Sequence, residues 1–342
     1  MILASLAGLL WYNLRELDQA AARTANIGSA SAFVLKLNGV ITPSSAGALL
    51  AISDGLFARR GLSVEISAGK NDEDVASAVA VNQNVIGVAS AQGFLKARAD
   101  GFPIVAFAAS YVASSVQFFA LSDTKFVEPI DLEGKRIGYR PGVEISSILS
   151  AFIAKNAIAQ SGLKLVQTET PTFDLLHGNI DVLIGHQEVE GEILWSSNVS
   201  YRTVSPDSFG VHTMGPVYIA NEKAFSSPDR LEDFLIAVAD GWNAAYSDYD
   251  RSVPIIAGII EEKVSPAVLS RVMDAQRRLL RPSGTRLGEI DSQRLKNLHE
   301  LLLQQRLMRQ PIDLSRAVNY DVLRGVYRSK PDTPLRDLNS KS

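Results

Sequence analysis

This sequence predicts an α/β protein made of two similar units with a ligand cleft between them. Three observations lead there. Strands alternate with short helices from Phe33 to Ala109, a second run of the same kind spans Asp131 to Gly185, and helical periodicity dominates the remainder of the chain. Alternation of this type calls for parallel sheets, and α/β sheets bind ligands beyond the carboxyl ends of their strands.

In the first unit, Phe33 to Ile41 alternates as a strand. Thr42-Pro43-Ser44-Ser45 supplies turn and cap residues before an apolar-periodic helix, Ala46 to Phe57, which Arg60 and Gly61 terminate. Leu62, Val64 and Ile66 mark a second strand, Asp74 to Val81 a helix, and Val85 to Ala89 a third strand. Phe94 to Ala99 reads as helix and Pro103 to Ala109 as strand. In the second unit, Asp131 to Tyr139 leads into a strand, Arg140-Pro141-Gly142 forms a loop, and a helix runs from Ile145 to Ser161. Leu163 to Glu169 is a strand, Asp174 to Gly178 a short helix and Asp181 to Gly185 a strand. Beyond these, Leu231, Leu235, Val238, Trp242 and Tyr246 recur every three to four residues, the mark of one buried helix face. Val268 to Leu280 and Asp291 to Leu307 are amphipathic helices, and 331–342 is a polar tail.

Composition narrows the function. With 46% apolar and 21% charged residues over 342 positions, the chain can fill a large core and is not disordered. A net charge of −3 and the lack of any Lys/Arg cluster exclude nucleic acid as a partner. The absence of cysteine excludes disulfides, thiolate metal sites, a Cys nucleophile and a lipidated amino-terminal Cys. The apolar run Ile2 to Trp11 is short for a bilayer span and resembles a signal-peptide core, with Ala30-Ser31-Ala32 as an A-x-A-like cleavage site. Residues 1–32 are therefore expected to be a leader or membrane-anchor remnant, although the basic segment that normally opens a leader is missing.

Four segments carry a family resemblance. Ala51 to Ile66 (AISDGLFARRGLSVEI), Pro129 to Gly138 (PIDLEGKRIG), Leu176 to Leu183 (LHGNIDVL) and Ala220 to Phe225 (ANEKAF) occur in the same order as similar motifs of NMT1/THI5-like and SsuA-like solute-binding proteins. The resemblance implies a periplasmic-binding-protein-like fold of the second type. One lobe would comprise 33–113 plus 217–330 and the other 114–216, with a two-segment hinge near Ala113–Gln117 and Met214–Tyr218. It further implies a monomeric, periplasmic protein that closes on a small molecule and hands it to an ABC transporter permease and its ATPase. It implies no cofactor or metal, and no membrane contact except through the amino-terminal segment or the permease.

Candidate ligand residues come from where the strands end. The hydroxyls of Thr42, Ser44 and Ser45 stand at a helix start, where free N–H groups bind anions, or where Ser44 or Ser45 acts only as a cap. Asn71, Ser90, Ser110 and Tyr111 follow the second, third and fourth strands, and Tyr218 lies at the second hinge crossing. In the second lobe, Arg140 offers a fork to an anion and Gly142 close backbone approach. Gly185 to Leu194 resembles the post-strand segment of pyrimidine-binding relatives, with Glu190 at their Glu position and Glu188 where they have Asn. The alternative for these acids is a solvated helix start. His186 is a candidate contact beside them. A sulfonate would use the Ser44 loop and Arg140; a nitrogen heterocycle would use Glu190 and Tyr111.

Two rival readings accompany this one. A periplasmic sensor would use the same clamp without a permease. An enzyme related to thiamine-pyrimidine synthesis would need the Cys-rich iron site of those relatives, and no cysteine is present. No G-x-S-x-G or H-E-x-x-H motif occurs, and His177, His186, His212 and His299 have no metal-ligand spacing.

Overall fold

The computed structural model describes residues 31–260, 264–282 and 284–329. The expected leader lies outside them except for Ser31 and Ala32, which open the first strand; the expected tail lies wholly outside them. Two five-stranded sheets are built to one plan. In the first, β1 (Ser31–Lys36), β2 (Leu62–Ser67), β3 (Val85–Ala89), β4 (Ile104–Ala109) and β10 (Val217–Asn221) stand in the order β2-β1-β3-β10-β4. In the second, β5 (Val116–Leu121), β6 (Arg136–Tyr139), β7 (Lys164–Gln167), β8 (Val182–His186) and β9 (Tyr201–Val204) stand in the order β7-β6-β8-β5-β9. Each sheet is thus mixed rather than parallel. Its fourth position holds the strand that has just arrived from the other lobe, β10 or β5, antiparallel to both neighbours.

That exchange makes the hinge. The chain leaves the first sheet after Ala109, enters the second at Val116, and returns through residues 205–216. The crossings touch where the Ser110 N–H donates to the Pro216 carbonyl at 2.7 Å. Two crossings side by side permit one lobe to rotate on the other while forbidding independent drift.

Helices cover both faces of each sheet. On one face of the first sheet, α1 (Ala46–Ser53) and α7 (Pro228–Ser247) bury Leu49, Leu50, Leu231, Phe234 and Trp242 around Phe33 and Phe107. The five periodic residues of α7 are all buried. The opposite face holds α2 (Asp72–Val81) and α3 (Ala91–Ala99), closed by α10 (Ser292–Gln304). In the second lobe, α4 (Val143–Lys155) packs Ile148 and Phe152 on Phe118, while α5 (Pro171–Leu176) and α6 (Glu192–Ser196) bury Leu175 and Leu194 against Phe119 and Leu183. The carboxyl-terminal part adds α8 (Tyr249–Ile259), α9 (Pro266–Leu280), α11 (Leu314–Ala317) and α12 (Asp321–Ser329). Among the described residues, no helix is long and apolar enough to cross a membrane.

Several boundaries differ from the sequence reading. The first strand stops at Lys36, because the following segment turns through Gly39 at φ 114°. The helix expected over 145–161 starts two residues earlier and ends at Lys155, where Ala157 adopts φ 51°. The short helix expected over 174–178 runs from Pro171 to Leu176, started by a proline in its first turn. The sequence reading left β5, β9 and β10 unassigned. β10 is buried along its whole length, so no polar alternation marks it, and β9 has only four residues.

Two contacts hold the lobes in shape. Gly47 on α1 and Gly241 on α7 let the two helices meet backbone to backbone: a Cβ at Gly241 would overlap the Gly47 carbonyl oxygen, and one at Gly47 would overlap the Trp242 ring. In the second lobe, Asp181 receives the Arg136 guanidinium at both carboxylate oxygens (2.7 and 3.1 Å) and the Arg136 N–H at 2.7 Å. This fork joins two of the segments that carry the family resemblance, so both owe part of their pattern to the start of β6. The Arg136 guanidinium holds the Asp181 carboxyl below the ordinary value, burial working the other way.

Gly241→Ala is expected to destabilise the protein by about 1–3 kcal/mol, read from urea unfolding. A loss below about 0.5 kcal/mol would show that the helices part freely. Asp181→Asn is expected to cost about 1–2 kcal/mol at neutral pH after allowance for partial exposure. Because the native pKa is depressed, the gap between wild type and variant should shrink as pH falls through it, which acid-titrated melts would record.

Candidate functional site

Residues that follow β1, β3 and β4 face residues that follow β6 and β8 across a cleft of two joined chambers. An inner chamber of about 330 Å³ lies against the hinge, and an outer one of about 610 Å³ opens beyond it. Asn38, Ser90, Glu144 and His186 border both. Cavities of this size suit a small organic molecule.

The first-lobe side starts at Thr42. Its hydroxyl caps the turn Pro43–Ser45, accepting from the Ser44 N–H at 3.3 Å and lying 2.7 Å from the Ser44 hydroxyl. The cap is therefore Thr42, not Ser44 or Ser45. The Ser45 N–H donates to the Thr42 carbonyl, and that of Ala46 to the Pro43 carbonyl. Buried Gln276 of α9, with its amide oriented to satisfy both ends, donates to Pro43 O at 3.2 Å and accepts from the Ser44 N–H at 3.3 Å. The amides that would bind an anion here already have partners within the protein.

Ser90 and Asn71 are likewise engaged as caps. The Ser90 hydroxyl accepts from Gly93 N–H and donates to Asp72 at 2.6 Å; the Asn71 side chain accepts from the Asp74 N–H. Asp72 also accepts from Ser90 N–H (2.8 Å) and from the Asn38 amide (2.6 Å). Burial raises its pKa although both Ser90 bonds oppose the rise. Ser110, Tyr111 and Tyr218 form the back wall of the inner chamber. Tyr111 is buried against Trp242 and points its hydroxyl at the Ser44 carbonyl, 3.4 Å away. Burial pushes its phenol well up, and that of Tyr218 up to about 12 against a hydrogen bond from Ser110. Both rings are neutral at any physiological pH.

The second-lobe side is a π-helical turn, Gln187–Gly191, between β8 and α6, in place of the regular acidic helix start. Glu190 curls back so that Oε2 accepts from the His186 N–H at 2.6 Å. Gly185 leaves room for it, since a Cβ there would lie 2.6 Å from the same oxygen. Glu190 borders the outer chamber only; Glu188 and Glu144 border the inner one. Glu188 Oε1 accepts from the Ser115 hydroxyl at 2.9 Å, and Glu188 Oε2 is buried with no hydrogen-bond partner among the described residues. Ser115 Oγ also lies 2.9 Å from His186 Nδ1. Because the serine proton goes to the carboxylate, Nδ1 carries a hydrogen and donates to Oγ.

Glu144 sits in the first turn of α4, just after Gly142, whose position opens onto free space. Burial raises its pKa; His186 pulls it down, and Asp72 and Glu188 push it up. Burial opposes charging His186, but Glu144, Glu188 and Glu190 together outweigh it and raise the imidazole above its ordinary value, with Arg140 acting the other way. Arg140 itself is exposed at the outer chamber and donates to the Glu169 carbonyl at 3.0 Å. The structure thus gathers Thr42, Ser44, Ser45, Ser90, Ser110, Tyr111, Tyr218 and His186 around the inner chamber, and leaves Asn71, Arg140, Gly142 and Glu190 on the outer one. Sequence reading missed Ser115 and Glu144. The first lay inside the expected hinge and the second inside the expected loop-to-helix junction, but neither has a motif of its own.

A family model described as NMT1/THI5 like matches residues 42–252. The chain belongs to the NMT1/THI5-like family. No curated protein sequence matches it. Solved structures do. The periplasmic aliphatic sulphonate binding protein SsuA from Escherichia coli is 14% identical, with a TM-score of 0.69 over 85% of this chain and 92% of that one. The alkanesulfonate-binding protein SsuA from Xanthomonas axonopodis pv. citri, bound to MOPS, is 16% identical, with a TM-score of 0.64 over 85% and 99%. The desulfurization enzyme DSZB is 14% identical, with a TM-score of 0.58 over 87% and 99%. At such identities the likeness concerns the fold, and the fold is the two-lobed periplasmic-binding-protein type expected from the sequence. Among the described residues of this family member, no group of three or more His, Asp or Glu side chains is placed to hold a metal ion.

His186→Asn is expected to remove a stabilisation that is fully present below the unfolded imidazole pKa, about 6.5, and lost as pH rises through the higher native value. The stability gap between wild type and variant should be larger near pH 5 than near pH 8.5 in denaturant titrations. A gap independent of pH would show that the carboxylates do not hold a charged imidazole.

Proposed function

We propose that this chain is the extracytoplasmic solute-binding component of an ABC importer. It captures a small organic molecule between its lobes by hinge closure and delivers it to a membrane permease and its ATPase. The observation that carries this reading is the cleft. Strand ends of two equivalent sheets line one cavity from both sides, and two adjacent crossings are the covalent links between them. Membership of the NMT1/THI5-like family and the periplasmic solved relatives support it, and they support a periplasmic location.

An enzyme reading draws on the Ser115–His186 contact and on the shared fold of DSZB. The hydrogen bonds run the wrong way for it. A nucleophilic serine gives its proton to the histidine, whereas Ser115 accepts from His186 and donates to Glu188. The hydroxyl is held as a structural link.

Purified protein screened by thermal shift against sulfonates, nitrogen heterocycles, amino acids and carboxylates is expected to be stabilised by one class. The gain should grow by about 1.4 kcal/mol for each tenfold rise in concentration above Kd. Release of the compound chemically unchanged completes the test; turnover would overturn the proposal in favour of an enzyme.

A further inference from the structure

The inner chamber has a charge character that the fold does not dictate. Among its lining residues stand two carboxylates, Glu144 and Glu188, one imidazole, His186, and neither a Lys nor an Arg. The cations of the cleft all border the outer chamber. They are Lys70, Lys96, which is paired with Asp100 at 3.0 Å, and Arg140, which is bonded to the Glu169 carbonyl.

The two carboxylates are incompletely matched. Glu188 Oε2 is buried without a hydrogen-bond partner, and the Glu144 side chain makes no hydrogen bond among the described residues. A buried carboxylate oxygen that lacks a donor makes the charge costly to keep, and a cation in the adjoining chamber lowers that cost through space. The helix-start amides that would favour an anion are already bonded to Thr42, Pro43 and Gln276. We propose that the inner chamber selects a ligand bearing a positively charged nitrogen head, an ammonium, amidinium or guanidinium group, held between Glu144 of one segment and Glu188 of the other. This rests on the solute-binding reading and adds the ligand's charge to it.

The neutral wall suits such a head. Tyr111 and Tyr218, both uncharged, line the same chamber and add no charge that would oppose a cation. His186 is the chamber's own titratable cation, faced by Glu144, Glu188 and Glu190, with Arg140 beyond them. An entering cation takes over its role as counter-charge, so binding expels a proton from the imidazole. Affinity then rises with pH through the His186 titration.

The test uses the full chain and matched probes that share a carbon frame and differ in charge: benzamidinium, benzamide and benzenesulfonate, then an alkylguanidinium with its neutral amide and its sulfonate. The cationic member of each set is expected to raise Tm in proportion to the logarithm of its concentration, tighter near pH 8 than near pH 5.5. Glu144→Gln and Glu188→Gln should each weaken it roughly 30-fold or more. The amide oxygen introduced by Glu188→Gln can still accept from Ser115, and Glu144 has no hydrogen bond to lose, so near pH 8, above the ordinary imidazole range, both variants should melt close to wild type without probe. Stabilisation by the sulfonates or the neutral amides instead overturns the charge assignment while leaving the solute-binding reading in place. If no probe of any charge stabilises the protein, the charge assignment fails, and the solute-binding reading is decided separately by the wider screen.

Discussion

Ser115 stands where the chain first passes from one sheet to the other, and the acidic turn depends on it. Its hydroxyl donates to Glu188 and accepts from His186, and its carbonyl accepts from the Gln187 N–H at 3.0 Å. Three successive residues, His186 at the end of β8 and Gln187 and Glu188 of the turn, are thus tied to one residue of the first crossing. The turn then uses Glu190 to close on the end of β8, which leaves Glu188 turned to the cavity. A hydroxyl is the group that can serve here: it donates to a carboxylate and accepts from an imidazole at the same time. Any motion of the first crossing is transmitted directly to the second-lobe half of the site.

The fold was legible because its signals are periodic. The α7 stripe of Leu231, Leu235, Val238, Trp242 and Tyr246 and the alternation of Leu62, Val64 and Ile66 each follow from burial on one face. The fork between Arg136 and Asp181 was visible only as resemblance, since residues 45 positions apart show no spacing rule. The site was legible as a set of loops and not as a set of roles. Glu190 and Glu188 lie two residues apart in a turn whose π-helical form no local pattern announces, so which acid meets the cavity could not be read from their order. Ser44 and Ser45 were equal candidates as caps, and the residue that caps is Thr42, placed before Pro43. Such choices are made by tertiary contacts such as those of Gln276, which the chain brings back from more than two hundred residues away.

The same logic separates fold from chemistry. Two sheets that exchange a strand create a cleft whatever lines it, and solved relatives named for sulfonates share that framework with this chain. What fills the cleft with negative charge here is local: an acid in the first turn of α4 and another in the π-helical turn. Both are placed on segments that follow strands of the second lobe, where a substitution alters the lining of the chamber without touching either core.

Helix α9 joins these parts mechanically. Its Arg271 reaches the second lobe, bonding buried Glu192 at 3.3 Å and stacking on the Trp195 ring at 3.7 Å. About one turn and a half later Gln276 holds the Thr42 turn, and the Leu279 carbonyl accepts the Val112 and Ala113 amides of the first crossing. One helix therefore grips the acidic turn's following helix, the first-lobe loop and the hinge. Arg271 bridges the two lobes through an aromatic face and a buried carboxylate. The lobes are thus held together by a contact outside the cavity, independent of what lines it.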